Sequence, residues 1–204
     1  MTILTLAALV TSLKYYRRHR NLRIFTYYTA FSLLVTMTEF YYRTSAADHP
    51  FPGIVLLITF NAFMVFEFIV CNGFILNYIG SPRRRRIIRI NGLVFFVLLI
   101  FFYILSFKHL MHAGYFLLES VFLVPPCLLY FYERFLTVNL QPLKEQPSFW
   151  VVTAVLFLNS CSIPLQLTFG YLGKYREAAF SLNYILYSIF FILLIRAYLC
   201  SPEK

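Results

Sequence analysis

Acidic side chains are scarce in this chain. It has one aspartate, Asp48, and eight Asp and Glu in all, against 18 Lys and Arg, and only 13% of its 204 residues are charged. With a single aspartate there is no aspartyl dyad. Intramembrane metalloprotease chemistry needs two histidines and a carboxylate, but His19, His49, His109 and His112 all lie at or beyond the ends of apolar runs, and no H-E-x-x-H occurs. G-x-S-x-G and P-loop patterns are absent. The four cysteines have no metal-ligand spacing, and Cys71, Cys127 and Cys161 fall inside apolar runs with Cys200 close to the last residue. Buried thiols are therefore expected, with no metal, no cofactor and no enzymatic activity.

Long polar stretches are missing as well, and with them any soluble domain, linker or low-complexity segment. The chain is 60% hydrophobic, with 24 Phe and 16 Tyr. A soluble domain of this length has nowhere to hide so much apolar surface, whereas lipid removes the need. The fold class read from this is all-α: a polytopic transmembrane helical bundle forming one domain over residues 1–204. The formal charge of +10 raises the question of nucleic acid. Its cations sit between apolar runs, however, where topology and anionic lipid headgroups account for them. No cleavable signal peptide is expected, because charges follow the first apolar run and do not precede it.

The stretch from Ile54 to Arg89 organises the rest. It opens as IVLLITFNAFMVFEFIVCNGFILNYI, with Glu67 near the middle, and ends in GSPRRRRIIR. About 20 apolar residues at roughly 1.5 Å each cross a bilayer. Seven such runs are read, at about 2–16, 24–42, 54–79, 90–107, 115–135, 149–171 and 180–199, the first being short. With the N-terminus outside and the C-terminus inside, 14 cations fall on the inner side, including the basic loop Arg83, Arg84, Arg85 and Arg86. Four fall outside: Arg43, Lys108, Lys174 and Arg176. Lysine and arginine are retained in cytoplasmic loops, so this asymmetry sets the orientation. Tyr15, Tyr16, Tyr41, Tyr42, Trp150 and Tyr171 at the run ends fit interfacial belts. No three-plus-three repeat is visible, since the prolines of spans 5 and 6 have no counterparts in spans 1 and 2.

Glu67 is the most costly residue in such a chain. A carboxyl at mid-bilayer has to be protonated, paired, or turned to a polar cavity, and no lysine or arginine shares its depth. It either carries a proton or ligand, or glues the bundle by hydrogen bonds. Asn61 and Asn72, eleven residues apart, share one face of the same span, and Glu67 lies about 120° away. Polar groups pointing two ways suit a helix at the centre of a bundle. In span 2, Thr29, Ser32, Thr36 and Glu39 form a polar stripe that must face protein or a lined cavity. Glu119 stands six residues before Pro125 and Pro126, which free the carbonyls of Val121 and Phe122. In span 6, Asn159, Ser160 and Ser162 lie beside Pro164, and span 7 adds Asn183, Tyr184, Tyr187 and Ser188. Pro125, Pro126 and Pro164 are candidate hinges. Together these residues point to an outward polar pocket, or to kinks with locally satisfied polar groups.

Two familiar seven-span classes do not fit. A retinal Schiff base needs a lysine in the last span, and there is none. The Glu133-Arg134 pair ends span 5, not span 3, so it is not the charged triplet of eukaryotic seven-helix receptors. FMVFEF around Glu67, LLES around Glu119, LLYFYERF and PSFW before span 6 resemble the small, uncharacterised seven-span inner-membrane proteins found in some bacteria. That resemblance covers most of the chain and implies the architecture and an inner-membrane location, with no activity attached.

The function expected is a non-enzymatic membrane sensor or receptor-like subunit, holding a small or lipidic ligand in the outward pocket. The tail SPEK is too short for an output domain, so a membrane or cytoplasmic protein partner is expected beside the lipid bilayer, and no nucleic acid. A proton-coupled small-solute transporter using Glu67, and a structural subunit of a membrane complex, are the alternatives. The orientation is testable directly: a reporter inserted among Arg83–Arg86 should read cytoplasmic, and one beside Asp48 should read from the opposite side. A cytoplasmic signal at Asp48 would refute the topology.

Overall fold

A computed structural model describes residues 2–45, 52–105, 113–136, 142–168 and 176–200. The outer-loop residues Asp48, His49, Lys108, His109, His112 and Lys174, and the tail with Lys204, lie outside the described residues. Among the described residues every regular element is helical: α1 (Thr2–Lys14), α2 (Arg23–Ser45), α3 (Pro52–Tyr78), α4 (Pro82–Leu105), α5 (Ala113–Leu136), α6 (Pro147–Thr168) and α7 (Arg176–Leu199). Single 3₁₀ turns stand at Arg20–Leu22 and Leu143–Glu145. Three of the helices open on proline, whose fixed φ and missing N–H suit the first helical position.

Among the described residues five helices are long and apolar enough to cross a membrane: α3 from Ile58 onward, α4, α5 from Gly114 onward, α6, and α7 from Ser181 onward. This is compatible with an integral membrane protein. The other two differ for separate reasons. Helix α1 has 13 residues, roughly 20 Å, against a hydrocarbon core of about 30 Å. Helix α2 has 23 residues, but its threonines, serines and tyrosines dilute its hydropathy.

Packing follows a closed circuit. Helix α1 lies between α2 and α7, α2 meets α3, α3 meets α5, α5 meets α6, and α6 returns to α7. Helix α4 stands outside this ring, against α5 and more lightly against α3. Only 17% of the apolar stretch of α4 is buried. Leu93, Val97, Ile100, Ile104 and Leu105 are exposed on it, an apolar surface suited to lipid.

The core is aromatic. Phe68 of α3 stacks on Phe95 of α4 at 3.7 Å between centroids, and Phe25 of α2 meets Phe74 of α3 edge to face at 5.0 Å. Such pairs add about 0.5–1.5 kcal/mol beyond area burial. The α3–α4 approach is close at Gly92, where a Cβ would stand 3.0 Å from the side-chain nitrogen of Asn72.

Two sequence expectations change shape here. Arg83–Arg86 do not form a loop: the helix begins at Pro82, ahead of the expected 90, so the four arginines occupy the first turns of α4. A run of charges reads as loop, but arginine is a good helix former and Pro82 sets the helix start. Pro125 and Pro126 lie inside an unbroken α5. The carbonyl of Phe122, left without its helical donor, instead accepts a hydrogen bond from Asn91 Nδ2 of α4 at 2.8 Å.

That bond holds the outlying helix to the ring. Replacing Asn91 with Leu, near in volume but without a donor, leaves a part-buried carbonyl unsatisfied and should destabilise the fold by about 1 kcal/mol. Denaturant titration in mild detergent checks this, and an unchanged midpoint would show that the bond holds nothing.

Candidate functional site

At the centre of the ring lies Glu67, with 3% of its surface exposed. Its α3 position puts it near the middle of the longest apolar run, and two tyrosines reach it from other helices. Tyr28 of α2 donates from its hydroxyl to Glu67 Oε1 at 3.1 Å. Tyr187 of α7 donates to Oε2 at 3.5 Å. Tyr28 is itself fixed by rings on three sides, Phe25, Phe63 and Phe190, at 5.9, 5.5 and 5.7 Å. Side-chain bonds thus join α2, α3 and α7 at one carboxyl.

A second carboxyl faces this group from α5. Glu119 is also buried, and the two carboxyls are close enough to interact electrostatically. Tyr28, Tyr187 and Cys71, one turn beyond Glu67 on the same face of α3, feel both carboxyls. Glu119 Oε1 accepts no hydrogen bond among the described residues. Asn72 Oδ1, on the α4 side of α3, is likewise unsatisfied among them. Helix α3 does send polar groups two ways, Glu67 to the ring centre and Asn72 towards Gly92.

Further along α2, Thr29, Ser32, Thr36 and Glu39 are all buried, so the polar stripe faces protein. Thr29 and Thr36 donate back to the carbonyls of Phe25 and Ser32 on their own helix. Glu39 Oε1 accepts from the Tyr184 hydroxyl of α7 at 2.7 Å, a direct α2–α7 tie. The α6 residues contribute less. Asn159 is buried but donates to Val155 O of its own helix at 2.9 Å. Ser160 and Pro164 are exposed, and Asn183 of α7 is half-buried. Ser160 is therefore not brought to the centre, because one residue along a helix turns a side chain by about 100°.

The chain matches no family model, and no curated protein or solved structure is significantly similar to it.

The opposite end of the bundle carries a feature that residue-by-residue reading missed. Glu133, near the end of α5, accepts from the backbone N–H groups of Gly80 and Ser81, the latter at 3.2 Å, and pairs with Arg84 at 3.1 Å. It occupies the start of α4, where four arginines would otherwise oppose the helix dipole alone. Its neighbour Arg134 lies over Tyr130 and Tyr78, at 5.3 and 5.7 Å. Tyr28 was also missed as a partner of Glu67, although it stands one turn before Ser32 and extends the α2 stripe.

Among the described residues no group of three or more His, Cys, Asp or Glu is placed to hold a metal ion. What the centre can do chemically is hold protons or a hydrogen-bond donor between two carboxyls and two phenols. Its internal order is testable. Tyr28→Phe removes the shorter bond and should cost about 1 kcal/mol of unfolding free energy, while Tyr187→Phe, at the limit of hydrogen-bonding distance, should cost less than about 0.5 kcal/mol. Equal costs, or the reverse order, in detergent unfolding would contradict this geometry.

Proposed function

We propose that the protein is a non-enzymatic, receptor-like subunit of a membrane, in which the Glu67–Glu119 centre is the element that responds to a ligand. In this reading all seven helices cross the bilayer, with the N-terminus outside, the C-terminus inside and the arginine-rich start of α4 in the cytoplasm. The membrane is the bacterial inner membrane, as the sequence resemblance implies.

One observation carries the reading. Glu119 is buried beside another buried carboxyl, yet its Oε1 accepts no hydrogen bond among the described residues. A buried acceptor left unsatisfied costs about 1–3 kcal/mol, and no Lys or Arg side chain among the described helices stands at this depth to balance the pair. Such a site is completed from outside the chain's own side chains, by protons or by a small ligand bearing donors. Filling it alters contacts that join α2, α3, α5 and α7 at once, which is how a ligand shifts a helical bundle between arrangements. The Glu39–Tyr184 pair lies between this centre and the outer ends of α2 and α7, on the side from which the ligand enters. The output passes at the basic end to a membrane or cytoplasmic protein.

The same unsatisfied carboxyl favours one second reading, proton-coupled transport of a small solute with Glu67 and Glu119 as the protonation sites. Glu67→Gln and Glu119→Gln keep size and hydrogen-bonding capacity, so both should fold to within about 1 kcal/mol of wild type. In proteoliposomes with an imposed pH gradient and an entrapped pH dye, the receptor reading expects no proton flux above empty liposomes. It also expects a partner co-purifying stoichiometrically in mild detergent, with recovery changed by Glu67→Gln. Proton flux lost in both variants would replace it by transport. No flux, and partner recovery indifferent to both substitutions, would reduce the carboxyls to glue between helices.

A further inference from the structure

At the basic end of the bundle the connection from α1 to α2 folds over a cleft of about 170 Å³. Arg18, His19, Arg20, Asn21 and Leu22 line it, with Tyr78 at the end of α3 and Pro147 at the start of α6. One water needs only about 10–15 Å³ of such space, so the cleft has room for a larger group. The charge of its walls is uncompensated. Arg18 and Arg20 are exposed, and neither pairs with a carboxylate among the described residues. No acidic residue lines the cleft.

Several other cations at this end are engaged, while Arg17, Arg83, Arg86 and Arg89 are exposed and do not line the cleft. Arg84 is held by Glu133. Arg85 donates to Ile79 O, Arg23 donates to Tyr16 O and lies over the Tyr16 ring, Arg134 lies over Tyr130 and Tyr78, and Arg196 lies over Trp150. Ring contacts and a hydrogen bond back the cleft. His19 is buried, with the rings of Tyr15 and Tyr198 edge-on at 6.4 and 6.3 Å. Tyr198 donates to Leu22 O at 3.0 Å, which holds the 3₁₀ turn that presents Arg20.

We propose that this cleft binds a phosphate group, with Arg18 and Arg20 as its charged walls and Asn21 as a neutral donor. Guanidinium forks match phosphate oxygens in shape and charge. Basic pockets between helix ends at a cytoplasmic leaflet take the headgroups of anionic lipids. The phosphate is presented either by such a lipid or by a soluble phosphate. The leaflet rests on the orientation proposed above; the binding site does not, and the experiment is done in detergent, where failure of one is not failure of the other.

The full-length protein in neutral detergent is incubated with phosphatidylglycerol or phosphatidylcholine and examined by native mass spectrometry, with and without inorganic phosphate. Wild type should retain phosphatidylglycerol over phosphatidylcholine. The double substitution Arg18→Gln with Arg20→Gln should weaken this by about 30-fold. Arg83→Gln with Arg86→Gln, which removes the same charge from exposed positions on α4, should leave it within about two-fold. Asn21→Asp, which adds an anion at the rim without touching the arginines, should also weaken it, so that misfolding of the double variant does not decide the matter. Displacement of the lipid by inorganic phosphate assigns the site to soluble phosphate. Lipid retained in its presence assigns the site to the headgroup. Equal losses for the two arginine pairs, no effect of Asn21→Asp, or no preference for phosphatidylglycerol and no binding of phosphate would overturn the proposal.

Discussion

The carboxylate of Glu133 sets the register of the bundle. By binding Gly80 and Ser81 it fixes the end of α5 against the end of α3, an offset of 53 residues between bonded positions. The edge-on pair of Tyr78 with Tyr130 continues the same alignment one turn back. Carried up two parallel helices, that offset brings Glu67 level with Ser120, beside Glu119. The two buried carboxyls therefore meet at the centre because a third, at the far end, holds their helices in step. Gly80 is part of this device, since a Cβ there would stand 3.0 Å from Glu133 Oε1. The same carboxylate lets α4 begin with four arginines: it supplies the negative charge that a helix N-terminus favours and pairs with one of them.

In a bundle surrounded by apolar solvent, hydrophobic burial does little to choose between helix arrangements, and polar ties and close packing choose instead. The distribution of ties here follows that logic. Helix α2 is tied to α7 by Glu39–Tyr184 and by Thr26–Tyr198, the latter at 3.3 Å. Both are tied to α3 through Glu67. Helix α4 is held by Asn91, by the Phe68–Phe95 stack and by the Arg84–Glu133 pair. Helix α6 needs few cross-helix bonds of its own, because its α5 and α7 faces are packed along their length; Tyr130–Ser148 at 2.8 Å adds one at the basic end.

Much of this was legible residue by residue and little of it pair by pair. Helices, apolar runs and the buried face of α2 follow from periodicity, which a sequence displays directly. Glu67 and Glu119 stand out because a carboxyl in an apolar run has few stable fates. Their meeting was not legible, because it depends on a contact between positions 53 apart that no local pattern encodes. Tyr28 was overlooked because tyrosine in a helix reads as ring first and hydroxyl second, and Ser160 was grouped with Asn159 by adjacency although neighbours on a helix point apart. The arginine run read as loop since its charge, not its helix propensity, dominates the eye.

Helix α7 joins the two regions that carry the chemistry. Tyr187, at Glu67, and Tyr198, at the basic cleft, are eleven residues apart, which is three turns and about 16 Å along one helix face. Tyr187 bonds the carboxyl at one end of that span. Tyr198 bonds Thr26 and Leu22 O at the other and lies edge-on to His19. One helix face thus carries a side-chain contact to the central carboxyl and another to the turn that shapes the cleft. Coupling between two sites requires an element with two arrangements that both sites bias. Here α7 is the element in contact with both, through one tyrosine hydroxyl at each end.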